Sequence, residues 1–485
     1  MGSGAALVSL TASAADLSSP GPTPHALEQR IRHIENHLLP PVLLNDEPVR
    51  TTTLPAKMRE LGVPGVSIAY LHRGRIAWTD AVGVRRLGGP PVDPNTVFQA
   101  ASISKPVTAM AVMSLTQSGA LELDRDVRRY LRTWKLPQDK ALATAPVTIG
   151  RLLSHTAGTA VHGFEGYSAD EAVPSLIQVL NGEKPANSPP VHVVAVPGSE
   201  WSYSGGGYEI LQQVLFDLTG KGFAPLMDDL VLRPAGMARS SFEQPLSAAL
   251  QADAATPYDM EGKPVPGGAH TYPEQAAAGL WTTPSDLLRF AINLQRSLAG
   301  QSEGILKPKT ARAMLAPTNK GAWSMGFRVG GGHRHPYFLH GGSNAGFRSL
   351  LAAFDTGDGI AIMTNGDAGR EIASAILRTV AAEYHWPQFK PSRHHLMRLS
   401  SSDLDRFVGR FHAGAESSIT VTRKGDQLYV QIEDDEPREI TPEGPARFFS
   451  KTSDLLVTFE LDAHRRPTEI EIDMLLATYR GTLDH

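Results

Sequence analysis

The stretch that decides how this chain is interpreted reads ASISKPVTA and spans residues 101–109. Its small residues run into an apolar pattern that continues through Val107 and Met110, as expected of a helix. Ser102 stands where that pattern begins, and Lys105 follows three residues later. Because positions i and i+3 share one face of a helix, the spacing predicts that a hydroxyl and an amine meet at a helix N-terminus.

That pairing has a chemical meaning. A serine is a poor nucleophile until another group takes its proton. The amine of Lys105 can assist only if burial and neighbours lower its pKa from the free value of about 10.4. Backbone N–H groups at a helix start can hold a developing oxyanion. Alone, however, the Ser-x-x-Lys spacing fits equally a capping serine beside a solvated lysine, so its meaning depends on the rest of the chain.

Composition narrows the class of protein. The chain has 485 residues, which predicts two or three compact units. Its 46 basic and 50 acidic side chains are balanced, so no nucleic-acid footprint is expected. With 0 cysteines there is no disulfide, thiol nucleophile or cysteine metal site. We expect no membrane span, because no apolar run reaches the ~18 residues that a spanning helix needs.

The N-terminus resembles a secretory signal without its basic start. Residues 4–10 are apolar, and Ala12-Ser13-Ala14 has the form of a cleavage site. We therefore expect residues 1–25 to be a flexible lead-in or the remnant of a signal segment. A periplasmic or secreted location follows from this interpretation, while a cytoplasmic location stays open.

The order of the remaining patterns predicts an α+β domain over residues 26–386. Alternating or buried strand-like runs occur at both ends of this region, and the middle is mostly helical. Strands that lie far apart in the chain would share one antiparallel sheet, flanked by helices and interrupted by a mostly helical insert. The predicted strands are 65–71, 76–78, 337–340, 349–354 and 359–364, and the predicted helices include 26–39, 283–298 and 370–384.

A second unit follows. Residues 387–402 contain prolines and three consecutive serines and are expected to form a linker. Residues 403–485 alternate between apolar and polar positions, with turn residues in between. This pattern predicts a small all-β domain.

Three motifs occur in one order along the chain: Ser102-Ile103-Ser104-Lys105, Tyr203-Ser204-Gly205 and His340-Gly341-Gly342. Their combination resembles the serine β-lactamase-related hydrolases, a group that includes class C β-lactamases, D-alanyl-D-alanine carboxypeptidases, D-aminopeptidases and related esterases. The resemblance covers roughly residues 26–386 and implies the β-lactamase/penicillin-binding type of fold.

The resemblance also implies roles. Ser102 would be the nucleophile, and Lys105 would help to deprotonate it. Tyr203, as a tyrosinate or as a hydrogen-bonded relay, would act as base and then as acid to the leaving group. His340 would occupy the third-motif position, which Lys or His usually fills. The backbone N–H groups of Ser102 and Ser343 would form the oxyanion hole.

Departures from the family pattern affect the expected substrate. The second motif usually ends in Asn, and Gly205 takes that place here, so an amide that grips substrate is lost. A histidine at 340 is often neutral near pH 7 and holds a carboxylate less well than lysine does. Efficient β-lactamase activity is therefore not expected. Gly205 and Gly342 are the candidate substrate-binding positions, together with Arg348 as a replacement cation.

The sequence thus predicts a serine hydrolase that forms an acyl-enzyme at Ser102 and cleaves a short-chain ester or a D-amino-acid peptide. Two alternatives stay open: a penicillin-binding or cell-wall-binding regulatory protein with little turnover, and an acyltransferase. The substrate would be a small molecule or a peptide, and the oligomeric state is open. No cofactor or metal is expected, since the histidine pairs 333/335 and 394/395 lack a third ligand and are expected to lie on surface loops. His155 is expected to brace a turn.

Overall fold

A computed structural model describes residues 23–318, 322–413, 418–433 and 435–484. The predicted lead-in or signal segment lies almost wholly outside the described residues. The described helices are α1 Pro24–Asn36, α2 Leu54–Glu60, α3 Ser104–Gln117, α4 Ile149–Leu153, α5 Leu176–Asn181, α6 Gly205–Thr219, α7 Phe223–Met227, α8 Arg233–Ala235, α9 Ala248–Gln251, α10 Gln275–Ala278, α11 Pro284–Ala299, α12 Pro308–Leu315, α13 Gly369–Glu383 and α14 Ser401–Asp405.

The strands fall into a large sheet, two short pairs and a C-terminal barrel. They are β1 Val42–Leu44, β2 Gly65–His72, β3 Arg75–Gly83, β4 Phe98–Gln99, β5 Trp281–Thr282, β6 Arg328–Gly330, β7 Tyr337–Asn344, β8 Phe347–Phe354, β9 Gly359–Thr364, β10 Ser392–His394, β11 Gly409–His412, β12 Ser418–Lys424, β13 Gln427–Ile432, β14 Arg438–Pro442, β15 Arg447–Phe449, β16 Leu456–Leu461, β17 Pro467–Asp473 and β18 Thr478–Leu483. No helix within the described ranges is both long and apolar enough to cross a bilayer.

The large sheet is antiparallel and has the order β3-β2-β9-β8-β7-β6. Strand β2, from the start of the chain, pairs with β9 from Val66–Thr364 to Leu71–Gly359. The prediction that distant segments share one sheet is confirmed. The insert between β3 and β6 is mostly helical, which confirms the α+β fold class.

Each face of the sheet is buried against helices. Strand β2 alternates, so Ile68 packs with α13 residues such as Ile372 on one face, whereas Ala69 joins the core of the helical insert on the other. Because both faces are covered, β2 is buried along nearly its whole length. One face of the sheet therefore packs directly against the helical insert.

Helix α3 lies at the centre of the insert, and its residues from Ser104 to Met113 are all buried. A helix without a polar face is expected only where neighbours surround it. The α-helix begins at Ser104 rather than at Ser102, because residues Ala101–Ile103 form a 3-10 turn. Ala101 has a left-handed φ of +50°, which bends the chain there. Pro106 falls in the first turn of α3, where its missing N–H costs nothing.

The C-terminal strands β11–β18 close into an eight-stranded antiparallel barrel, which confirms the predicted all-β unit. Its interior is apolar and includes Phe411, Val430 and Ile472. Within the segment predicted as a linker, β10 pairs in parallel with β1. The boundaries of the units stay predictions. His394 was expected on a surface loop, and that expectation is wrong: it is buried, with Nδ1 at 2.5 Å from a Glu443 carboxylate oxygen.

The barrel docks onto the large sheet through the turn between β17 and β18. The buried guanidinium of Arg328, on edge strand β6, donates hydrogen bonds to the carbonyl oxygens of Met474 and Leu475. It also pairs with Asp473 at 2.7 Å. One side chain thus satisfies several backbone and side-chain acceptors of the barrel turn.

The same turn touches strand β7. A Cβ atom at Gly341 would lie 2.4 Å from Cδ1 of Leu476, so a larger residue there would require that leucine side chain to move. On the opposite face of β7, a Cβ at Gly342 would lie 2.1 Å from the carbonyl oxygen of Ala100. The two glycines therefore let β7 fit between the barrel and the turn that carries Ser102.

We predict that Arg328→Ala lowers the free energy of unfolding by about 2 kcal/mol, because it leaves buried carbonyl acceptors of the barrel turn unpaired. Urea denaturation followed by circular dichroism measures this change. The matched control is Arg480→Ala, which removes an exposed pair with Glu471 on the same barrel. That control should cost less than about 1 kcal/mol. Equal effects of the two substitutions would contradict the assigned role of Arg328.

Candidate active site

Ser102 and Lys105 meet as the spacing predicts. The Lys105 Nζ atom lies 3.1 Å from Ser102 Oγ and 3.0 Å from the carbonyl oxygen of Ala277. Lys105 is only 2% exposed, whereas Ser102 is partly open to solvent. Burial lowers the pKa of Lys105 to about 7, and the nearby Glu209 opposes the shift. A substantial fraction of this amine is therefore uncharged at neutral pH, with a lone pair available to accept a proton.

Tyr203 joins the pair from the loop before α6. The Lys105 ammonium nitrogen lies 5.0 Å from the centre of its ring. Burial raises the pKa of the Tyr203 phenol above its usual range, and the adjacent Ser102 side chain opposes this rise. The phenol therefore stays protonated near neutral pH. Of the two forms that the sequence left open, the hydrogen-bonded relay fits this environment and the tyrosinate does not.

His155 accepts hydrogen bonds from the residues on either side of Tyr203, as expected of a residue that stabilises a turn. Its carbonyl oxygen accepts from the Ser202 N–H at 2.9 Å, and its Nδ1 accepts from the Ser204 N–H at 3.1 Å. Its ring stacks on Tyr203 with centroids 4.3 Å apart. Burial and the neighbouring Lys105 lower the pKa of His155, so the ring stays neutral and Nδ1 remains an acceptor.

Gly205 lies in a tight place, where an added side chain would require its neighbours to shift by a few tenths of an ångström. A Cβ there would lie 3.0 Å from Cε2 of Phe164 and 3.1 Å from the carbonyl oxygen of His162. The next glycine, Gly206, approaches Ala160 even more closely, since its Cβ would lie 2.6 Å from that carbonyl oxygen. These glycines therefore allow close approach to another chain segment. At position 205, the Phe164 ring is the side chain that an added side chain would contact first.

His340 lies on β7 with its ring close to Tyr203, at a centroid distance of 6.2 Å. Its Nδ1 is 2.6 Å from the carbonyl oxygen of Gly341. A carbonyl only accepts, so Nδ1 carries the hydrogen and Nε2 is the acceptor in the neutral ring. Burial and Lys105 lower the pKa of His340 to about 3. The buried Nε2 atom has no hydrogen-bond partner among the described residues.

The oxyanion-hole candidates lie on two elements that touch. Gly342 packs against Ala100, whose carbonyl oxygen also accepts from the Ser349 hydroxyl at 2.7 Å. Strand β7 therefore runs directly beside the turn that carries Ser102, with Ser343 as the next residue after Gly342. The roles of the Ser102 and Ser343 N–H groups stay predictions.

Arg348 has a different environment from the one expected of a substrate-binding cation. Its guanidinium pairs with Asp367 at 2.8 Å and donates to the carbonyl oxygens of Asn344 and Phe347. The charge is thus already paired inside the protein. The assignment of Arg348 to substrate binding stays a prediction.

Aromatic side chains line the site, and the sequence revealed them only in part. Trp201 stacks on Trp323 with centroids 5.4 Å apart, and His162 lies 4.9 Å from the Tyr203 ring. Trp201 could be found from the sequence, because it lies two residues before Tyr203 of the second motif. His162 and Trp323 belong to irregular segments without a motif, so no spacing pointed to them. Among the residues that the structure describes, no group of three or more His, Asp or Glu side chains could hold a metal ion.

Known proteins resemble this chain over different lengths. Esterase EstB of Burkholderia gladioli is 30% identical over 221 residues, which cover 43% of this chain and 54% of that protein. Penicillin-binding protein 4 of Amycolatopsis lactamdurans is 27% identical over 344 residues, which cover 66% of this chain and 86% of that protein. The chain spans 65% of the length of the first two curated relatives that it matches.

A solved structure and two family models complete the comparison. The octameric penicillin-binding protein homologue from Pyrococcus abyssi superposes with a TM-score of 0.58 and 20% identity, over 88% of this chain and 98% of that chain, and this likeness shows the fold. A model of a domain of unknown function (DUF3471) matches residues 397–482. The beta-lactamase model matches residues 51–383, which is more than half of the chain. The chain therefore belongs to the β-lactamase family, a membership that supports activity of the serine hydrolase type.

Proposed function

We propose that the protein is a serine hydrolase that forms an acyl-enzyme at Ser102 and hydrolyses a short-chain ester or a D-amino-acid peptide bond. One observation carries the proposal: the buried Lys105 amine lies 3.1 Å from Ser102 Oγ, and its pKa is lowered to about 7. A nucleophile next to a base of matched pKa is what acyl transfer to serine requires.

In the acylation step, the neutral Lys105 amine takes the proton of the Ser102 hydroxyl while Oγ bonds to the substrate carbonyl carbon. The carbonyl π electrons move to oxygen, and the Ser102 and Ser343 N–H groups hold that oxyanion. When the tetrahedral intermediate collapses, the bond to the leaving group breaks. The Tyr203 hydroxyl donates a proton to the leaving oxygen or nitrogen and recovers one from the Lys105 ammonium.

Deacylation repeats these steps with water as the nucleophile. Water loses a proton to the Tyr203–Lys105 pair as its oxygen bonds to the acyl carbon. The bond from that carbon to Ser102 Oγ then breaks, and Oγ takes the proton back from the pair. The Nε2 atom of His340 is a buried acceptor without a partner in the described chain, so it is suited to a hydroxyl or N–H of substrate or to the attacking water.

The charge of the site favours uncharged esters within this substrate range. His340 is neutral, and Arg348 is already paired with Asp367, so neither offers a free cation to a substrate carboxylate. The Phe164 ring packs closely at position 205, where the second motif usually supplies an amide. Aromatic walls suit apolar acyl groups. The name of one relative, Esterase EstB, agrees with this preference.

A cell-wall-binding regulatory protein with little turnover is the second candidate. It is favoured by the glycine at position 205, where the second motif usually has an asparagine and where Phe164 packs closely. It is also favoured by the similarity to penicillin-binding protein 4. A third candidate, acyl transfer to an amine or alcohol, uses the same acyl-enzyme with another nucleophile. Product analysis with added alcohols or amines separates transfer from hydrolysis.

The first prediction is covalent labelling at Ser102. A fluorophosphonate should add one adduct to the folded protein, and Ser102→Ala should abolish labelling, as measured by intact mass. Short-chain p-nitrophenyl esters should be turned over faster than a D-alanyl anilide or a chromogenic cephalosporin, with a loss of about 10³-fold or more in Ser102→Ala. Ser118→Ala, at an exposed serine in the described chain, is the control. Ligand binding without labelling or turnover would support the regulatory candidate instead.

The second prediction concerns pH. Because only the unprotonated Lys105 amine accepts a proton, kcat/KM should rise with pH through about 7 and fall away below it. His340 is neutral throughout this range, so His340→Gln should keep the acid limb in place even if it lowers the rate. Initial rates on a p-nitrophenyl ester between about pH 5 and 9 measure the profile. Loss of the limb in His340→Gln would assign it to the histidine instead.

The third prediction tests whether the Phe164 ring restricts a side chain at position 205. Gly205→Asn alone should lower ester turnover about 10-fold or more, because the new side chain meets the Phe164 ring. Adding Phe164→Ala should restore part of that activity and raise turnover of a D-alanyl anilide relative to the ester. Phe164→Ala alone is the control. A fully active Gly205→Asn protein would show that the ring does not restrict this position.

A further inference from the structure

Helix α10 lies between α3 and α6, and both helices hold the same two peptide groups of α10. From α3, Lys105 Nζ donates to the carbonyl oxygen of Ala277 at 3.0 Å. One turn further along α3, the Thr108 hydroxyl donates to the carbonyl oxygen of Ala276 at 3.2 Å. The position of the catalytic amine is thus tied to the carbonyl of Ala277.

From the other side, two side chains of α6 accept hydrogen bonds from the N–H groups of Ala276 and Ala277. A Glu209 carboxyl oxygen accepts from the Ala277 N–H at 3.0 Å. One turn further along, the Gln212 side-chain oxygen accepts from the Ala276 N–H at 2.7 Å. Residue Ala277 is therefore held at its N–H by Glu209 and at its carbonyl by Lys105.

Glu209 is fully buried, and its second carboxyl oxygen has no hydrogen-bond partner in the described parts of the chain. Glu274 lies nearby, also fully buried, with neither oxygen paired. Burial and their mutual repulsion raise the pKa of Glu209 well above its usual value, and burial raises that of Glu274 to about 8. Burial therefore disfavours the charged form of both carboxyl groups.

We propose that Glu209 is a positioning residue for Lys105: its carboxyl oxygen holds the Ala277 N–H, and the carbonyl oxygen of Ala277 directs the lysine amine toward Ser102. This inference rests on the proposed function and adds a residue to the same site. It explains why an acidic side chain is placed behind a lysine that must give up its charge.

The charge state of Glu209 matters because a carboxylate at this place would favour the ammonium form of Lys105 and raise its pKa. The titratable groups that face Lys105 from other elements include His155, His162 and His340, together with the phenols Tyr203 and Tyr208. Glu209 faces Glu274, which in turn faces the Tyr167 and Tyr272 phenols. Apart from Lys105, none of these groups brings a cation close to the two carboxyl groups.

Two substitutions separate anchoring from charge. Glu209→Gln keeps a neutral acceptor for the Ala277 N–H, so kcat on a p-nitrophenyl ester should stay within about two-fold of the wild type, with the same acid limb. Glu209→Leu removes the acceptor, and kcat should fall about 10-fold while KM changes little. The matched control is Gln212→Leu, one turn along α6, which frees the Ala276 N–H but not Ala277. It should keep kcat within about two-fold.

A second measurement does not depend on turnover. The ¹³Cε resonance of Lys105, assigned by its loss in Lys105→Arg, reports the pKa of the amine, which should be unchanged in Glu209→Gln. An acid shift of this titration or of the acid limb in Glu209→Gln would overturn the proposal, because it would show that the native carboxyl is ionised and acts on Lys105 through its charge. So would wild-type kcat in a folded Glu209→Leu protein. If the proposed function itself fails, the wild type shows no Ser102-dependent turnover, and the NMR titration still decides the state of Glu209.

Discussion

Removing the Lys105 amine from water, without an ion pair to a carboxylate of the described residues, is the constraint on which the site depends. In this place the ammonium would lose its hydration without gaining a counter-ion, and the free base is favoured accordingly. The geometry follows from the same burial. Helix α3 is covered on all sides, its first residues lie against β7, and the carbonyl of Ala277 fixes one N–H of the amine. Ser102 is left as the partly open member of the pair.

The side chains around Lys105 are also in environments that favour their uncharged forms. His155 and His340 are both neutral, but they carry their hydrogen on different ring nitrogens. Nδ1 of His155 accepts a hydrogen bond, whereas Nδ1 of His340 donates one. Burial disfavours the charged forms of the Tyr203 phenol and the Glu209 carboxyl. A proton that leaves Ser102 therefore moves among groups that are initially uncharged, in a medium where each new charge is felt strongly. The pKa values of such a set belong to the coupled groups rather than to one residue.

Much of this arrangement could be predicted because its parts are local in sequence. The i, i+3 spacing placed Ser102 against Lys105, and alternating segments indicated the shared sheet and the all-β unit, although not its closure into a barrel. What escaped prediction depends on contacts between distant segments. Nothing near Gly205 shows that Phe164 packs closely against it, and nothing near Arg348 shows that Asp367 has taken its charge. Glu209 looked like an ordinary helix residue, because its partner is a backbone N–H on another element.

The contact between Gly341 and Leu476 links two regions that family comparison treats separately. Position 341 lies in the stretch matched by the β-lactamase model, and position 476 lies in the stretch matched by the domain of unknown function. Because a methyl group at 341 would require the leucine side chain to move, packing at the two positions is coupled. Exchanging the barrel between relatives is therefore expected to depend on how the residue at 476 packs against the residue at 341.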